Sequence, residues 1–466
     1  MADGNSAQTA KFNEVADGVK FVRLLFCDLA GIRRCRVIPA RRLDTITKSG
    51  VGLTKATPAL PAWGDVSAED SGFGPVGEVR LLPAEDAVIR PLPWRPTHAI
   101  ALCELHNRPG DPWECCPRAA LKSILANAQR EHGLTFRVGY ESEFILLRQP
   151  APGDTQLPPP FDRSVYCQTS AFDAAAPVMD DMVEALEDLG LPVEQLHAES
   201  APGQFEIVTT HDDALHAADG VIFAREAITS VAAKHGLVAS FLPKLSAAQA
   251  GSGQHLHISL WKDGKNLVEG FETGKGSVAE AFLAGILSHI PALQAFTVPA
   301  PISYERLRPG CWSGAFQVWG VNNKEAPIRL CTLADGSSRD FEFKMLDATA
   351  NPHMALAAII VAGLQGVNEK AILPPALQID PGTLSTEERS TRGIKSLAAN
   401  LAEALAGFSA DTVFGDALKE AFGEALVRVY MAVRKSELKW DQELRQLSAS
   451  DAEHVDRVAA QLYDRY

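Results

Sequence analysis

The chain has 466 residues, 46% of them hydrophobic, enough to bury a large core and too long for one ordinary compact domain, so two domains are expected. A formal net charge of -14, with no Lys/Arg cluster longer than a few residues, excludes the basic stripe that nucleic-acid phosphates require, whereas ATP can still bind an acidic protein through bridging metal ions. Eight scattered cysteines form no CxxC pair suited to zinc or redox work and read as reduced thiols.

Taken in chain order, the opening MADGNSAQTAKFNEVADG has neither the apolar core of a secretory signal nor the Arg-rich, acid-poor character of a transit peptide, so a cytoplasmic location is expected. Residues 19–44 predict strand, turn, strand, with β-branched residues flanking Gly31. The stretch from Thr57 to Gly77 is rich in Pro, Gly and Asp and reads as a long functional loop. Strands are expected at 78–82 and 98–105. At Cys116-Pro117 the character changes: Pro suits a first helical turn, and PRAALKSILANAQREHG runs with helical spacing to a stop at Gly133. The expected division is therefore 1–115 and 116–466. Beyond it, strands at 135–148, 203–209, 238–243, 254–261 and 340–346 alternate with helices at 176–189, 212–235, 277–290 and 352–370. From about Gly393 the chain is helical and charged. The longest apolar run, Ala355 to Leu364, is too short for a bilayer and suits a buried helix, so no membrane partner is expected.

Four segments carry residues suited to chemistry. In VGYESEFILL, Glu141 and Glu143 are two apart on a strand and project from one face about 7 Å apart. In HAESAPGQFEIV, Glu199 and Glu206 flank a Pro202-Gly203 turn that can fold the carboxylates together. In GSGQHLHISLW, His255 and His257 share a strand face behind a glycine loop that lacks the ending of a P-loop. In DFEFKMLD, Glu342 and Lys344 share a face, followed by the helix cap Asn351-Pro352. Each reads alone as a solvated face or a satisfied core residue. Together they supply hard oxygens and an imidazole, which suits paired Mg²⁺ or Mn²⁺, and two such ions about 4 Å apart can clamp a transferring phosphoryl group.

At these residues the sequence resembles the glutamine synthetase family: ESEF, ESAPGQFE, GSGQHLHIS, RLRPG and FEFKMLDATANPH occur in the family's order over nearly the whole chain. WECCPR, FDAAAPV and CWSGAFQVWG resemble in particular the glutamine-synthetase-like module of plant nodulin-type and fungal developmental proteins. The resemblance implies an α+β fold, with a β-grasp N-terminal domain and a catalytic domain whose curved antiparallel sheet forms a funnel. It implies a homo-oligomer of stacked rings with active sites between subunits. Glu143, Glu199 and Glu206 would hold one metal, and Glu141, His255 and Glu342 the other. Glu194, His257 and Ser259 would face ATP. Arg306 would grip the substrate carboxylate beside the Gly251 backbone, and Arg329 would stabilise the transferring phosphoryl group. The implied reaction activates a glutamate-like carboxylate as an acyl phosphate, which an amine then displaces.

The sequence departs from the family pattern at several places. The flap glutamate that follows RLxPG is replaced by Trp312, and no ammonium-site aspartate is evident in GVGLTKATPAL. The residue before the GSG loop is Ala250 rather than asparagine, family arginines appear as Lys324 and Lys344, and Asp340 stands at a third basic position. An organic amine packing on Trp312, in place of ammonia, is the expected second substrate. An orthodox glutamine synthetase and a non-catalytic assembly protein are the alternatives.

Overall fold

The computed structural model describes residues 18–271 and 273–466, so the N-terminal stretch read for targeting signals lies outside the described residues except for Gly18. In its first part, β1 (Phe21–Cys27) and β2 (Arg33–Pro39) form the expected hairpin around Gly31, paired antiparallel from Phe21 opposite Pro39 to Cys27 opposite Arg33. The turn is held by the Asp28 carboxylate, which accepts from the backbone N–H of Ala30 and of Ile32, each at 2.9 Å. After a short helix α1 (Leu43–Ser49) come β3 (Val51–Thr54), β4 (Glu78–Pro83), β5 (Arg90–Leu92), β6 (Arg95–Arg108) and β7 (Asp111–Pro112). The sheet order is β2-β1-β6-β4-β3, with β1 and β6 parallel at its centre and antiparallel pairs outside, the mixed layout of a β-grasp sheet. The segment 57–77 is a loop broken by two 3₁₀ turns.

Helix α2 (Pro117–His132) starts on Pro and stops at left-handed Gly133, as the sequence predicts. It leads into β8 (Thr135–Arg148), the central strand of a ten-stranded sheet. Strand side chains alternate, so Phe136, Val138 and Tyr140 face the apolar core while Arg137, Gly139, Glu141 and Glu143 line the opposite face. Around β8 are β9 (Val193–Ala198), β10 (Gln204–Thr209), β11 (Asp212–Asp213), β12 (Leu237–Ser240), β13 (Gln254–Lys262), β14 (Lys265–Asn266), β15 (Trp319–Val321), β16 (Ile328–Thr332) and β17 (Ser338–Phe343). The main path is β15-β16-β17-β13-β8-β10-β9, antiparallel except for the parallel pair β15 and β16, so the sheet is mixed rather than wholly antiparallel.

The apolar side of the sheet packs against helices, α3 (Thr169–Asp188), α4 (Ala214–Lys234), α5 (Val278–Thr297) and α6 (Pro352–Glu369) being the long ones before the C-terminal run, and the chain closes with α7 (Thr386–Thr391), α8 (Leu401–Ala410), α9 (Thr412–Phe422), α10 (Glu424–Gln446) and α11 (Asp451–Leu462). Helix α5 is long and apolar enough to cross a membrane by length and composition, but 83% of that window is buried inside the protein; it is a core helix. Its partner α6 is capped by the Asn351 side chain, which accepts from the Met354 N–H at 3.0 Å and donates to the Cys27 and Asp28 carbonyls at 3.1 and 3.0 Å. One side chain thus ties the start of α6 to the N-terminal hairpin.

Helices α5 and α6 touch backbone to backbone through Gly285 and Gly366: a Cβ on Gly366 would sit 2.6 Å from the Gly285 Cα. Neither helix can retreat, because both are buried along most of their length. Gly366→Ala is expected to destabilise the fold by about 1–3 kcal/mol through overpacking. Chemical denaturation would measure it, and an unchanged midpoint would contradict so tight a crossing.

Candidate active site

Pairing register gathers the chemistry. Glu206 on β10 lies opposite Glu143 on β8, His255 on β13 opposite Glu141, and Glu342 on β17 opposite both His257 on β13 and Arg329 on β16. Directly opposed residues share a sheet face and sit side by side. Glu199 joins them because it directly follows β9, and the turn after it lets the Glu199 N–H donate to the Gln204 carbonyl at 2.8 Å. All six predicted acid and imidazole ligands therefore converge on one face from strands far apart in the chain.

Within this cluster, His255 Nδ1 is 2.9 Å from Glu141 Oε2 and 3.4 Å from Glu342 Oε1, while its Nε2 is 3.5 Å from Glu143 Oε1. Glu143 Oε2 accepts from the Gly253 N–H and the Gln204 side-chain amide, both at 2.9 Å, which fixes the carboxylate in place. Donor atoms of Glu141, Glu206 and His255 lie within 4.8 Å of one another, as do those of Glu141, His257 and Glu342. A third such group contains a residue the sequence reading missed, His197, with Glu199 and Glu206. His197 Nε2 is 3.0 Å from Glu199 Oε1 and 3.8 Å from Glu206 Oε1. Its signal was available: it precedes Glu199 by two positions, the spacing that puts strand residues on one face.

The electrostatics show what such a cluster lacks. Burial and the neighbouring carboxylates of Glu141, Glu143 and Glu199 push the Glu206 carboxyl up to about 10. Burial also works against ionised Glu342, yet Lys344, His255 and Arg329 hold it down at about 2. For Glu141, burial is outweighed by hydrogen bonds from His255 and His257, which keep its carboxyl far below the usual range. These acids ionise together only if further positive charge enters among them. Hard divalent cations fit a donor set of carboxylates and one imidazole.

Beside the cluster, a cavity of about 810 Å³ is lined by Glu194, His257, Ser259, Arg329, Arg137 and Asp340, among others. Arg329 projects from β16 with its guanidinium on the Glu342 carboxylate. Ser259 Oγ accepts from the Trp261 indole at 2.9 Å. Asp340, at a position where the family pattern has a basic residue, is engaged by His257, whose Nδ1 lies 2.7 Å from its Oδ1. Burial opposes a charged imidazole there, but Asp340, Cys331 and Glu141 raise the His257 pKa well above its ordinary value.

At the far side of the cluster, Arg306 is buried with Nη2 donating to the Lys344 and Leu346 carbonyls at 3.2 and 3.0 Å, and its Nε has no hydrogen-bond partner among the described residues. Gly251 lies against it: a Cβ there would meet the Pro243 carbonyl at 2.5 Å and Arg306 Cγ at 2.6 Å, so only glycine allows this approach. Lys344 Nζ is 3.1 Å from Glu342 Oε1. Trp312 is 56% exposed in a loop at φ +52°, with the Lys324 Nζ 5.4 Å from its ring centroid. The acid that contacts this loop, Glu325, accepts from the Trp312 N–H at 3.2 Å.

Comparison with known proteins agrees with this geometry. Residues 7–113 match the glutamine synthetase N-terminal domain and residues 114–452 the glutamine synthetase catalytic domain. The gamma-glutamylpolyamine synthetase GlnA3 of Streptomyces coelicolor is 37% identical, the match covering 90% of each chain. Protein fluG of Emericella nidulans is 31% identical over 92% of this chain, which spans 48% of that longer protein. Among solved structures, a GmaS/ADP complex superposes with a TM-score of 0.78 at 30% identity, covering 96% of this chain and 98% of that one. With the acid cluster gathered on one sheet face and both domains matched, the chain belongs to the glutamine synthetase family of ATP-dependent ligases.

Proposed function

We propose that this enzyme joins the γ-carboxylate of glutamate, or of a similar acid, to an organic amine bulkier than ammonia through an acyl-phosphate intermediate. The observation that carries the reading is the flap position: Trp312 stands where the family pattern has an acid, with Lys324 Nζ 5.4 Å from its ring centroid, and Glu325 accepts from the Trp312 N–H at 3.2 Å. The family's flap acid is absent at this position, and the indole in its place offers an apolar face to a carbon-bearing amine. The activity named for the Streptomyces coelicolor relative, which joins γ-glutamyl groups to polyamines by its name, supports the same class.

In this reading Glu143, Glu199 and Glu206 hold one divalent cation and Glu141, His255 and Glu342 a second, Mg²⁺ or Mn²⁺ by the hardness of the donors. Those ions supply charge neutralisation at the transferring phosphoryl group when bound. Glu194, His257 and Ser259 face ATP in the cavity, and Arg329 stands where phosphoryl charge develops. Arg306, with its unpartnered Nε and the Gly251 backbone beside it, receives the substrate carboxylate; Lys344 and Lys324 add positive charge on the route in. Residues 1–115 form the β-grasp domain and 116–466 the catalytic domain, and stacked rings of this chain in the cytoplasm complete the site between subunits.

The test is phosphate release from Mg²⁺-ATP with glutamate across ammonium, monoamines, diamines and polyamines. The expected result is one organic amine favoured over ammonium by roughly 100-fold or more in kcat/KM. Trp312→Ala should then lower kcat/KM for that amine about tenfold, the value of one lost cation–π or apolar contact. Glutamine formation from ammonium at the best rate would restore the orthodox reading. No amine above background would sink both and leave the assembly role.

A further inference from the structure

Three residues on adjacent strands of the cavity wall form a donor set unlike the carboxylate cluster. His257 on β13, Cys331 on β16 and Asp340 on β17 each offer one atom, all within 4.8 Å of one another. His257 Nδ1 lies 2.7 Å from Asp340 Oδ1 and 4.0 Å from Cys331 Sγ. The other ring nitrogen, Nε2, is 3.1 Å from Glu141 Oε1, the carboxylate-backed arrangement that orients a metal-binding imidazole and raises its basicity. Cys331 and Asp340 stand outside the hard-cation cluster, and His257 borders it through Glu141; thiolate and imidazole select a softer ion than Mg²⁺.

We propose that His257, Cys331 and Asp340 bind a borderline-soft divalent cation, zinc being the type, in a metal site separate from the two cations of the carboxylate cluster, and that this ion inhibits the enzyme. Sulfur, nitrogen and oxygen fill three tetrahedral positions, and the fourth opens to the cavity that all three residues line. On binding, the ion displaces the Cys331 thiol proton and the proton on His257 Nδ1, which pass to solvent, while His257 Nε2–H keeps donating to Glu141. The consequence for activity rests on the proposed nucleotide role of His257: with Nδ1 committed to the ion and its ring fixed on Glu141, His257 is withdrawn from ATP. Metal binding itself does not depend on that role, nor on which amine is the substrate.

The full-length protein, held in excess Mg²⁺ to occupy the carboxylate cluster, would be titrated with Co²⁺ as a coloured stand-in for zinc. One equivalent should produce a thiolate-to-cobalt charge-transfer band in the near ultraviolet that added Zn²⁺ removes. Cys331→Ser should abolish the band with the circular dichroism spectrum unchanged, and Asp340→Asn should weaken Co²⁺ binding by about 10–100-fold. No band in the native protein, or a band that survives Cys331→Ser, overturns the site. If Cys331→Ser fails to fold, unchanged Co²⁺ affinity in Asp340→Asn overturns it instead. The inhibitory consequence is read separately: the half-inhibiting zinc concentration for phosphate release should rise about 10–100-fold in Cys331→Ser, and an unaltered value refutes inhibition through this site even where cobalt binding stands.

Discussion

Glu141→Gln is expected to lower ATP-dependent ligation on the order of 10³-fold, more than any other single isosteric change in the cluster, while leaving the fold intact. Glu141 touches both histidines, with Oε2 2.9 Å from His255 Nδ1 and Oε1 3.1 Å from His257 Nε2. It also belongs to two of the groups able to hold an ion, with Glu206 and His255 and with His257 and Glu342. The amide keeps the shape but removes the charge that faces both imidazoles and that helps to raise the His257 pKa. It therefore strikes one proposed cation and the nucleotide-facing His257 together. Losing a single preorganised electrostatic contact costs about 10²–10³ in kcat, and a charge shared between two functions belongs at the upper end. Glu194→Gln, at the cavity wall, is the control with a smaller expected loss. Initial rates of phosphate release at saturating glutamate and amine would measure both, and a Glu141→Gln enzyme within tenfold of native would remove the carboxylate cluster from the reaction.

That six side chains gathered on one sheet face could be picked out in the sequence follows from the family motifs they stand in and from how strands encode faces. Glu141 and Glu143, or His255 and His257, announce a shared face by their spacing alone, and β8 and β13 occupy 135–148 and 254–262 almost as read. What spacing does not encode is the partner strand, and the errors fall there. Asp340 shows as a departure from the family pattern, but the side chain that engages it, His257, is 83 residues away. The parallel pairing of β15 with β16 rests on three residues and leaves no periodic trace. Prolines misled in the opposite sense. Helix α3 starts at Thr169, before Pro177, and α5 runs through Pro291 to Thr297, past the expected end at 290. An interior proline costs a helix one hydrogen bond and a clash. In α5, where nearly every residue from Ala279 to Thr297 is buried, apolar packing outweighs that cost.

The flap shows a different limit. A sequence can reveal that Trp312 replaces an acid, but not that the backbone there takes a left-handed conformation, that Lys324 covers the indole, or that Glu325 accepts from the Trp312 N–H. These contacts decide what charge an incoming amine meets. They turn the departure from the family pattern into a statement about a surface: cationic at its edge, aromatic at its centre, with the Glu325 carboxylate against the loop backbone.

Raising the pH of the metal-free protein from about 6 to 9 should lower its thermal midpoint, and divalent cations should reverse the loss most strongly at the alkaline end. The sign follows from Glu206, whose carboxyl rises from an ordinary 4.5 to about 10 in the fold because of burial and the three carboxylates around it. Between those values the folded chain keeps a proton that the unfolded chain has released, so stability is fully present below about 4.5 and drains away as pH climbs towards 10. His257, raised well above 6.5, adds to the same slope. Glu342 acts in the other direction, but its carboxyl sits at about 2 and its contribution changes only in acid, below the window measured. A divalent ion binds the deprotonated cluster, so its apparent affinity grows as protons leave. At a hundredfold excess over Kd such binding is worth about 2.7 kcal/mol. Thermal melts in chelator and in Mg²⁺ at several pH values would separate the two effects, with Glu206→Gln expected to flatten the slope and shrink the metal-induced rise. A chelated protein that gains stability from pH 6 to 9, or a Mg²⁺ effect largest in acid, would mean that the carboxylates do not share the crowded ground from which a cation relieves them.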